Sequence, residues 1–410
     1  MLTLTLRKVA LALATLPALS AAAPLTLDQA LEFALQRSEA TRSARAGVAS
    51  AAQAARAAGQ LPDPTLSVGV DNLPVTGAER FSTTADSMTM KRIGVSQEWL
   101  SSEKRAARQS AAQAAVERET VLEQSARAQT RLQTALAYLD AYYAAETLKL
   151  TTLTEHHLHE ELEAAKGRLT SAAGNSQEVL AMTSARGAAE DESQEVRQIE
   201  ATAVLVLQRW IGRQPDELAP PVLGSTVDEP AYVASHPGVL AARRDVDVAR
   251  QEATLAATNV KPNWSWQVSY GQRTGLSDLV SFGVSIPLPV SPAERQDREA
   301  ASKLALVDKA EASLTEATRA ATAEYRSLAS DHQRLAERIE RYRLGVLGPA
   351  QQRTQAALAG YRSNQVSLLT LFEARHSEVE VQRKLLALRR ELSKTQAQLA
   401  FKPLVAGGAP

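Results

Sequence analysis

Four short segments of this chain alternate apolar residues with polar or small ones. They are residues 65–73, 87–99, 263–271 and 279–288. The alternation has a period of two, which predicts β-strands. In the second segment it shifts phase around Lys91, which indicates a bulge or the end of the strand. An ordinary soluble four-stranded sheet is one interpretation of the pattern.

The lengths and aromatic residues of these segments favour strands that cross a membrane. A tilted strand needs about 9–11 residues to cross a bilayer, and the four segments have comparable lengths. Membrane strands also carry aromatic rings at the two lipid–water boundaries. The candidate interface aromatics are Trp99, Trp264, Trp266 and Tyr270.

Very long helical segments follow each pair of strands. From Glu103 to about Lys166 the chain has no proline, and a helix of this length would extend ~90 Å. Its leucines recur at spacings of three and four, which predicts a coiled-coil seam. The predicted seams are Leu132, Leu136, Leu139, Tyr143, Leu150 and Leu153 in the first half, and Leu328, Leu335, Ile339, Tyr342, Val346, Val381, Leu385, Leu388, Leu392 and Leu399 in the second.

The same order of elements occurs twice. An Ala-rich helical stretch beginning at Glu39 and another beginning at Pro237 each end at a proline, and each leads into two strands and long helices. The pattern predicts a tandem duplication: a first repeat over 23–215, a linker over 216–236, a second repeat over 237–400 and a flexible tail over 401–410. The predicted fold class is mainly α with a small β part.

Composition places the chain outside the cytoplasm. Residues 1–22 have a basic start, an apolar run and small residues at the end, which is typical of a cleavable signal peptide. The sequence has no cysteine, which excludes disulfides and thiolate metal sites. Lys+Arg and Asp+Glu number 46 each, so no nucleic-acid partner is expected.

Four strands are too few to close a membrane barrel, because the smallest such barrels have about eight. The chain must therefore pool its strands with further copies. Three protomers would supply twelve strands, although the pattern of residues does not determine that number.

The chain resembles the outer-membrane efflux proteins of the TolC type. The resemblance rests on the duplication, the strand pairs delimited by prolines, and a turn pattern from Tyr361 to Ala374. The stretches Leu61–Pro74 and Met88–Gly94 are most similar to the CzcC-like branch associated with heavy-metal exporters. Many members of that branch are lipoproteins, whereas this chain has no cysteine to carry a lipid.

This resemblance implies an assembly and partners. The implied assembly is a homotrimer that forms a shared β-barrel in the outer membrane and a long coiled-coil α-barrel through the periplasm. The implied partners are outer membrane lipid, a periplasmic adaptor protein and an inner-membrane RND proton antiporter, and no cofactor is implied. The implied function is a passive exit duct for heavy-metal cations in a tripartite RND-type efflux system. A multidrug or type I secretion duct of the TolC type, and a periplasmic coiled-coil scaffold outside the membrane, are the alternatives.

The resemblance also implies a gate at the periplasmic tip. Tyr361 matches the tyrosine of the family's inner gate, and Glu178 matches its acidic partner. Val366 stands where the family has a gate arginine, so Arg362 is the candidate substitute. Of the family's two constriction acids only Glu373 is retained, and three copies of it would form a ring that favours cations.

Motifs for catalysis are missing from the sequence, which has no phosphate-binding loop, nucleophile elbow or His-Glu-x-x-His pair. The chain is therefore expected not to be an enzyme. His156 and His159, with Glu160 and Glu163 nearby, are weak candidates for a metal site. The simpler interpretation is the polar face of a long helix.

Overall fold

A computed structural model describes residues 23–171 and 176–404. The predicted signal peptide, part of the first predicted turn and the last six residues lie outside the described ranges. Within these ranges the helices are α1 (Leu27–Arg37), α2 (Glu39–Ala58), α3 (Ser102–Thr170), α4 (Ser176–Ile211), α5 (Glu229–Ser235), α6 (Pro237–Ala257), α7 (Gln296–Tyr342), α8 (Gly348–Arg362) and α9 (Leu368–Phe401). The strands are β1 (Thr65–Asp71), β2 (Met90–Trp99), β3 (Trp264–Arg273) and β4 (Leu279–Ser285).

The strands form one antiparallel sheet in the order β1-β2-β3-β4. Register is continuous from the pair Met90–Arg273 to the pair Trp99–Trp264, so the bulge considered near Lys91 is absent and the strand simply begins at Met90. β4 ends at Ser285, three residues before the predicted end. Pro287 and Pro289 follow it, and proline cannot donate a hydrogen bond to a neighbouring strand.

The duplication extends further toward the N-terminus than the Ala-rich stretches alone indicate. α5 lies inside the range that was predicted as a linker, and it precedes α6 as α1 precedes α2. One residue separates the helices of each pair, and both separators cap the second helix: the Ser38 Oγ accepts from Thr41 N–H, and the His236 Nδ1 accepts from Gly238 N–H.

α3 contains 69 residues and would be ~100 Å long at 1.5 Å per residue. It packs along α4, α2, α6 and α9. In the C-terminal half of α3, the prediction that Leu153 belongs to the seam is wrong, because this residue is 52% exposed. The buried line has heptad spacing and consists mainly of alanine and threonine, which let the neighbouring helix approach closely. Its members are Ala137, Ala144, Thr151, Leu158 and Ala165.

The two seams predicted in the second half pack against each other. Ile339 of α7 is buried with Leu385 and Leu388 of α9. Between α7 and α8 a π-helical turn, Arg343–Leu347, inserts one extra residue per turn. Leu347 consequently joins the seam cluster, while Val346, the predicted member, is exposed.

The C-terminal segment is packed, which corrects the prediction of a flexible tail for the part that the structure describes. Phe401 is the last residue of α9, and Leu404 is buried with its N–H bonded to the Ser235 carbonyl at 2.8 Å. Lys402 donates a hydrogen bond to Glu324 of α7, and the hydroxyl of buried Tyr232 donates a second one to Glu324 at 3.0 Å. These contacts tie the chain end to α5 and α7.

Candidate functional site

The two faces of the sheet differ sharply in polarity. Residues paired in register point to the same face of an antiparallel sheet. Two complete rows on one face are apolar: Leu66, Val95, Val268 and Phe282 form one, and Val68, Ile93, Tyr270 and Val280 form the other.

This apolar face is not covered by any part of the described chain. Val68 is 75% exposed and Phe282 is 80% exposed. Monomeric soluble proteins rarely expose contiguous apolar patches of this kind, which mark contacts with a membrane or with other proteins. The face therefore requires an apolar surrounding.

The opposite face is polar. The row between the two apolar rows consists of Ser67, Gly94, Ser269 and Ser281. Arg92 on the same face forms an ion pair with Asp71 at 3.2 Å, and Leu279 is an apolar exception beside the β3–β4 turn. Such a surface suits contact with water.

Aromatic side chains lie toward both ends of the apolar face. Trp99 and Trp264 pair at the end nearest the helices, with ring centroids 6.0 Å apart. Trp266 lies one row further along the face, and Tyr270 lies six residues from Trp264, which is ~20 Å at 3.3 Å per residue. The spacing is close to the ~25 Å apolar band of membrane strands. All four predicted interface aromatics thus lie on this one face.

The junction between sheet and helices is fixed by a buried lysine. Lys104, in the first turn of α3, is 5% exposed. Its Nζ donates to the Lys261 carbonyl at 3.1 Å and to Asn263 Oδ1 at 2.9 Å. Burial, followed by the charge of Arg108, lowers the pKa of Lys104. The lysine joins the first repeat to the second at the base of the strands.

At the other end of the long helices, α8 and α9 are joined by a tight turn. Gln365 N–H donates to the Gly360 carbonyl at 2.8 Å and Asn364 N–H to the Tyr361 carbonyl at 3.0 Å, which is a Schellman motif. Asn364 has φ +56°, a left-handed conformation that asparagine tolerates better than most residues. Ser367 then caps α9 through Thr370 N–H at 3.2 Å.

An apolar cluster holds this turn against the α3–α4 pair. Met182 of α4 is buried with Leu162 and Ala165 of α3, and Leu368 and Leu371 of α9 pack on them. Two helical hairpins, α3–α4 and α8–α9, therefore meet at one end of the molecule, which we call the tip.

The predicted gate residues all lie at the tip. Tyr361 is half-buried, and the Arg168 guanidinium of α3 lies 5.8 Å from its ring centroid. Glu178 is in the first turn of α4 and half-buried, whereas Arg362 and Glu373 are exposed. Arg168 was not predicted, because nothing in the sequence around it distinguishes it from other surface arginines.

The sequence also did not predict an ion pair near the tip. Arg375 Nη1 of α9 donates to Glu161 Oε1 of α3, and Glu161 is 6% exposed. Burial raises the pKa of Glu161, and the charge of Arg375 opposes that rise without cancelling it. The two residues are 214 positions apart in sequence, so no local pattern joins them.

The histidines toward the C-terminal end of α3 do not assemble as expected. Glu160 lies 3.4 Å from His156 Nε2 and 3.5 Å from His157 Nδ1, so His157 rather than His159 shares the carboxylate. Among the described residues no group of three or more His, Asp or Glu could hold a metal ion. No helix of the described chain is long and apolar enough to cross a membrane.

Comparison with known proteins identifies the fold. No protein-family model and no curated protein sequence matches the chain. Among solved structures, the outer membrane protein VceC of Vibrio cholerae matches at 19% identity and TM-score 0.75, covering 92% of this chain and 96% of VceC. The Campylobacter jejuni outer membrane channel CmeC matches at 12% identity and TM-score 0.76, covering 93% of this chain and 87% of CmeC.

The open state of the Neisseria gonorrhoeae outer membrane channel MtrE also matches, at 16% identity and TM-score 0.67, covering 92% of this chain and 88% of MtrE. The chain has the fold of outer-membrane channel proteins. Because the match extends over nearly the whole of each chain, it includes the sheet, the long helices and the tip together. At these identities the likeness concerns the fold.

Proposed function

We propose that this protein is the outer-membrane exit duct of a tripartite efflux system. The observation that carries the proposal is the sheet, with one uncovered apolar face and one polar face. In a closed cylinder of such strands the apolar rows would face lipid and the polar rows would line a water-filled passage. The likeness to outer-membrane channels supports this arrangement.

The proposal includes three copies of the chain. Four strands leave β1 and β4 with unpaired edges, and such edges invite pairing with another strand. Pairing β1 of one copy with β4 of the next would close a cylinder of twelve strands from three copies. The long helices would then stand side by side as a second cylinder of ~100 Å in the periplasm.

Such a duct needs partners because it has no source of energy. A periplasmic adaptor protein would contact the helical part, and an inner-membrane RND proton antiporter would drive transport. These partners follow from the resemblance to the TolC type. The scaffold alternative leaves the apolar sheet face in water, and for this reason we favour the duct.

Heavy-metal cations are the proposed cargo. The support is the similarity of Leu61–Pro74 and Met88–Gly94 to the CzcC-like branch, together with the acidic Glu373 at the tip. The test is a deletion strain of the source organism, grown with copper, silver, zinc, cobalt, cadmium, nickel and a panel of drugs. We expect sensitivity to one or a few metals, restored by the intact gene.

Other outcomes of this test would change the proposed function. Sensitivity to drugs with unchanged metal tolerance would make the protein a multidrug duct. Loss of a secreted polypeptide without either sensitivity would indicate type I secretion. Recovery of the protein in the soluble periplasmic extract rather than the outer membrane would contradict the duct itself.

A further inference from the structure

The strands of the two repeats correspond residue by residue. Pro62 before β1 corresponds to Pro262 before β3, an offset of 200 residues, and Gly94 of β2 corresponds to Gly283 of β4, an offset of 189 residues. When the β1–β2 pairs are moved by these two offsets, all seven coincide with the pairs observed between β3 and β4. The two alignments were chosen separately, so this agreement supports both of them.

The same offsets predict how the sheet would continue into a second copy. Within the chain, β2 joins the first repeat to the second, and Ile93 of β2 lies opposite Tyr270 of β3. The equivalent residues at the two open edges are Phe282 of β4 and Val70 of β1. If β4 meets β1 of the next copy as β2 meets β3, Phe282 lies opposite Val70 of that copy. The neighbouring pairs would be Val284 with Val68 and Ser285 with Ser67, so each face keeps its polarity across the seam.

This register supplies the stagger that a closed barrel needs. The apolar row passes from Leu66 through Val95 and Val268 to Phe282, and it would enter the next copy at Val70, four residues further along β1. Four residues advance ~13 Å along a strand, while four strands span ~19 Å across the sheet. The strands would therefore tilt by ~35°, within the range of membrane barrels. A register with Phe282 opposite Leu66 would leave the strands untilted.

A lysine of the first repeat holds the base of the strands of the second repeat. Lys104, the third residue of α3, donates to the Lys261 carbonyl and to Asn263 Oδ1 in the link before β3. The third residue of α7 is Arg298, and the offset of 200 residues places Asp63 where the second repeat has Asn263. Arg298 and Asp63 are both exposed. The positions of a lysine and an amide within the chain are thus occupied by an arginine and an aspartate at its open edges, and these two charges attract each other.

We propose that two copies of this chain join in the same way as its two repeats. Phe282 of one copy lies opposite Val70 of the next, and Arg298 of one copy binds Asp63 of the next. The inference rests on the proposed duct and deepens it by assigning residues to the seam between copies. The junction at the base of β1 is incomplete in a single copy and takes its arginine from the neighbour.

Disulfide formation in the purified full-length protein tests the register. The chain has no cysteine, so each pair of substitutions introduces the only two thiols. Ser67→Cys with Ser285→Cys should give linked dimers and trimers under denaturing conditions, because facing residues have Cα atoms about 4.5–5.5 Å apart, a distance that a disulfide spans. Within one copy the two edges are ~14 Å apart, which excludes an internal link.

Ser67→Cys with Ser281→Cys is the matched control, because these residues face each other only in the untilted register. Linkage of this control pair, or equal linkage of both pairs, would overturn the proposed register. Absence of both links in a protein with the native mass of three copies would also overturn the register and would leave the duct unaffected. A native mass of one copy would contradict the duct and the seam together.

The rate at which the trimer dissociates in denaturing detergent tests the ion pair. Asp63→Asn and Arg298→Gln should each raise this rate about tenfold, because three exposed pairs are lost at once. The exchange Asp63→Arg with Arg298→Asp should return the rate toward that of the wild type. Glu294→Gln is the control, since Glu294 lies 3.6 Å from Arg298 within the same copy. Equal rates in Glu294→Gln and Arg298→Gln would show that the arginine acts only within its own copy.

Discussion

Glu324 of α7 accepts hydrogen bonds from both Lys402 and Tyr232, where the segment after α9 packs against α5 and α7. Burial alone would raise its pKa, but the hydrogen bond and charge of Lys402, with smaller contributions from Tyr232 and His236, together outweigh burial, so the pKa of Glu324 lies below its usual value. Nearby His236 lies 3.6 Å from the same carboxylate, and burial, followed by the charge of Lys402, lowers the pKa of His236. Both groups therefore bind protons less readily in the folded protein.

The lowered pKa values of Glu324 and His236 predict that the folded protein loses stability in acid. A group with a lowered folded pKa contributes stability above its unfolded pKa and loses it as the pH falls. The free energy of unfolding should decline below about pH 6.5 through His236 and again below about pH 4.5 through Glu324. Glu324→Gln should lower it by about 1–3 kcal/mol at pH 7 and flatten the second decline.

Urea unfolding of the detergent-solubilised protein across pH measures both effects. Glu316→Gln, an exposed substitution on the same helix, is the control and should leave the pH profile unchanged. An identical second decline in the wild type and in Glu324→Gln would contradict the assignment of that decline to Glu324.

Glu373 is the second residue with a prediction of its own. A carboxylate acts on a cation 4 Å away with about 1 kcal/mol in water, which corresponds to about a fivefold preference. Glu373→Gln should therefore reduce the permeability of cations relative to anions about fivefold, read from reversal potentials in a salt gradient. Glu380→Gln on the same helix is the control, because Glu380 is already paired with Arg383 at 2.7 Å. Unchanged cation preference in Glu373→Gln would exclude the acidic ring.

At the scale of elements, the two faces of the sheet should respond differently to an added charge. Phe282 and Ser281 are neighbours on β4 that point to opposite faces. Phe282→Lys should destabilise the protein in lipid by about 2–4 kcal/mol, as expected for a lysine facing the middle of a bilayer. Ser281→Lys should be nearly neutral, since it adds a charge to the watery side. Equal losses in both variants, measured by denaturant unfolding from vesicles, would contradict a lipid-facing apolar surface.

The elements also show what could be predicted from sequence. Alternation along β1 and β3 placed the strands to within about two residues, because successive side chains of a strand point to opposite faces of the sheet. The π-helical turn before Pro349 was not predicted, since Val346 continues the spacing of three and four and conceals the step of five from Tyr342 to Leu347. Nor was the buried line of α3 predicted, because alanine and threonine take most of its positions and the prediction followed the spacing of the leucines.

Local sequence patterns did not predict contacts between residues that are far apart in the sequence. The family resemblance predicted which residues lie at the tip: Tyr361, Glu178, Arg362 and Glu373. No motif or spacing in the sequence joins Glu161 to Arg375. Their partnership exists only because α3 and α9 lie side by side. The packing of Leu404 against Ser235, in a segment whose composition resembles a tail, depends on tertiary structure in the same way.

At the scale of the whole molecule, the proposed duct is a tube with its sheet in the membrane and its helices outside. The two apolar rows would face the lipid, and α3, at ~100 Å, is about three times as long as the ~30 Å hydrocarbon core is thick. The unpaired edges of β1 and β4 would be satisfied by neighbouring copies. The proposal therefore predicts membrane insertion, symmetry and length together.

Electron microscopy of the full-length protein in lipid nanodiscs tests that arrangement most directly, because it does not depend on whether the tip is open. We predict particles with threefold symmetry in which a tube projects ~100 Å from one side of the disc, as a helix of 69 residues requires. Single copies, or particles that remain outside the disc with the sheet in water, would contradict the proposed membrane duct.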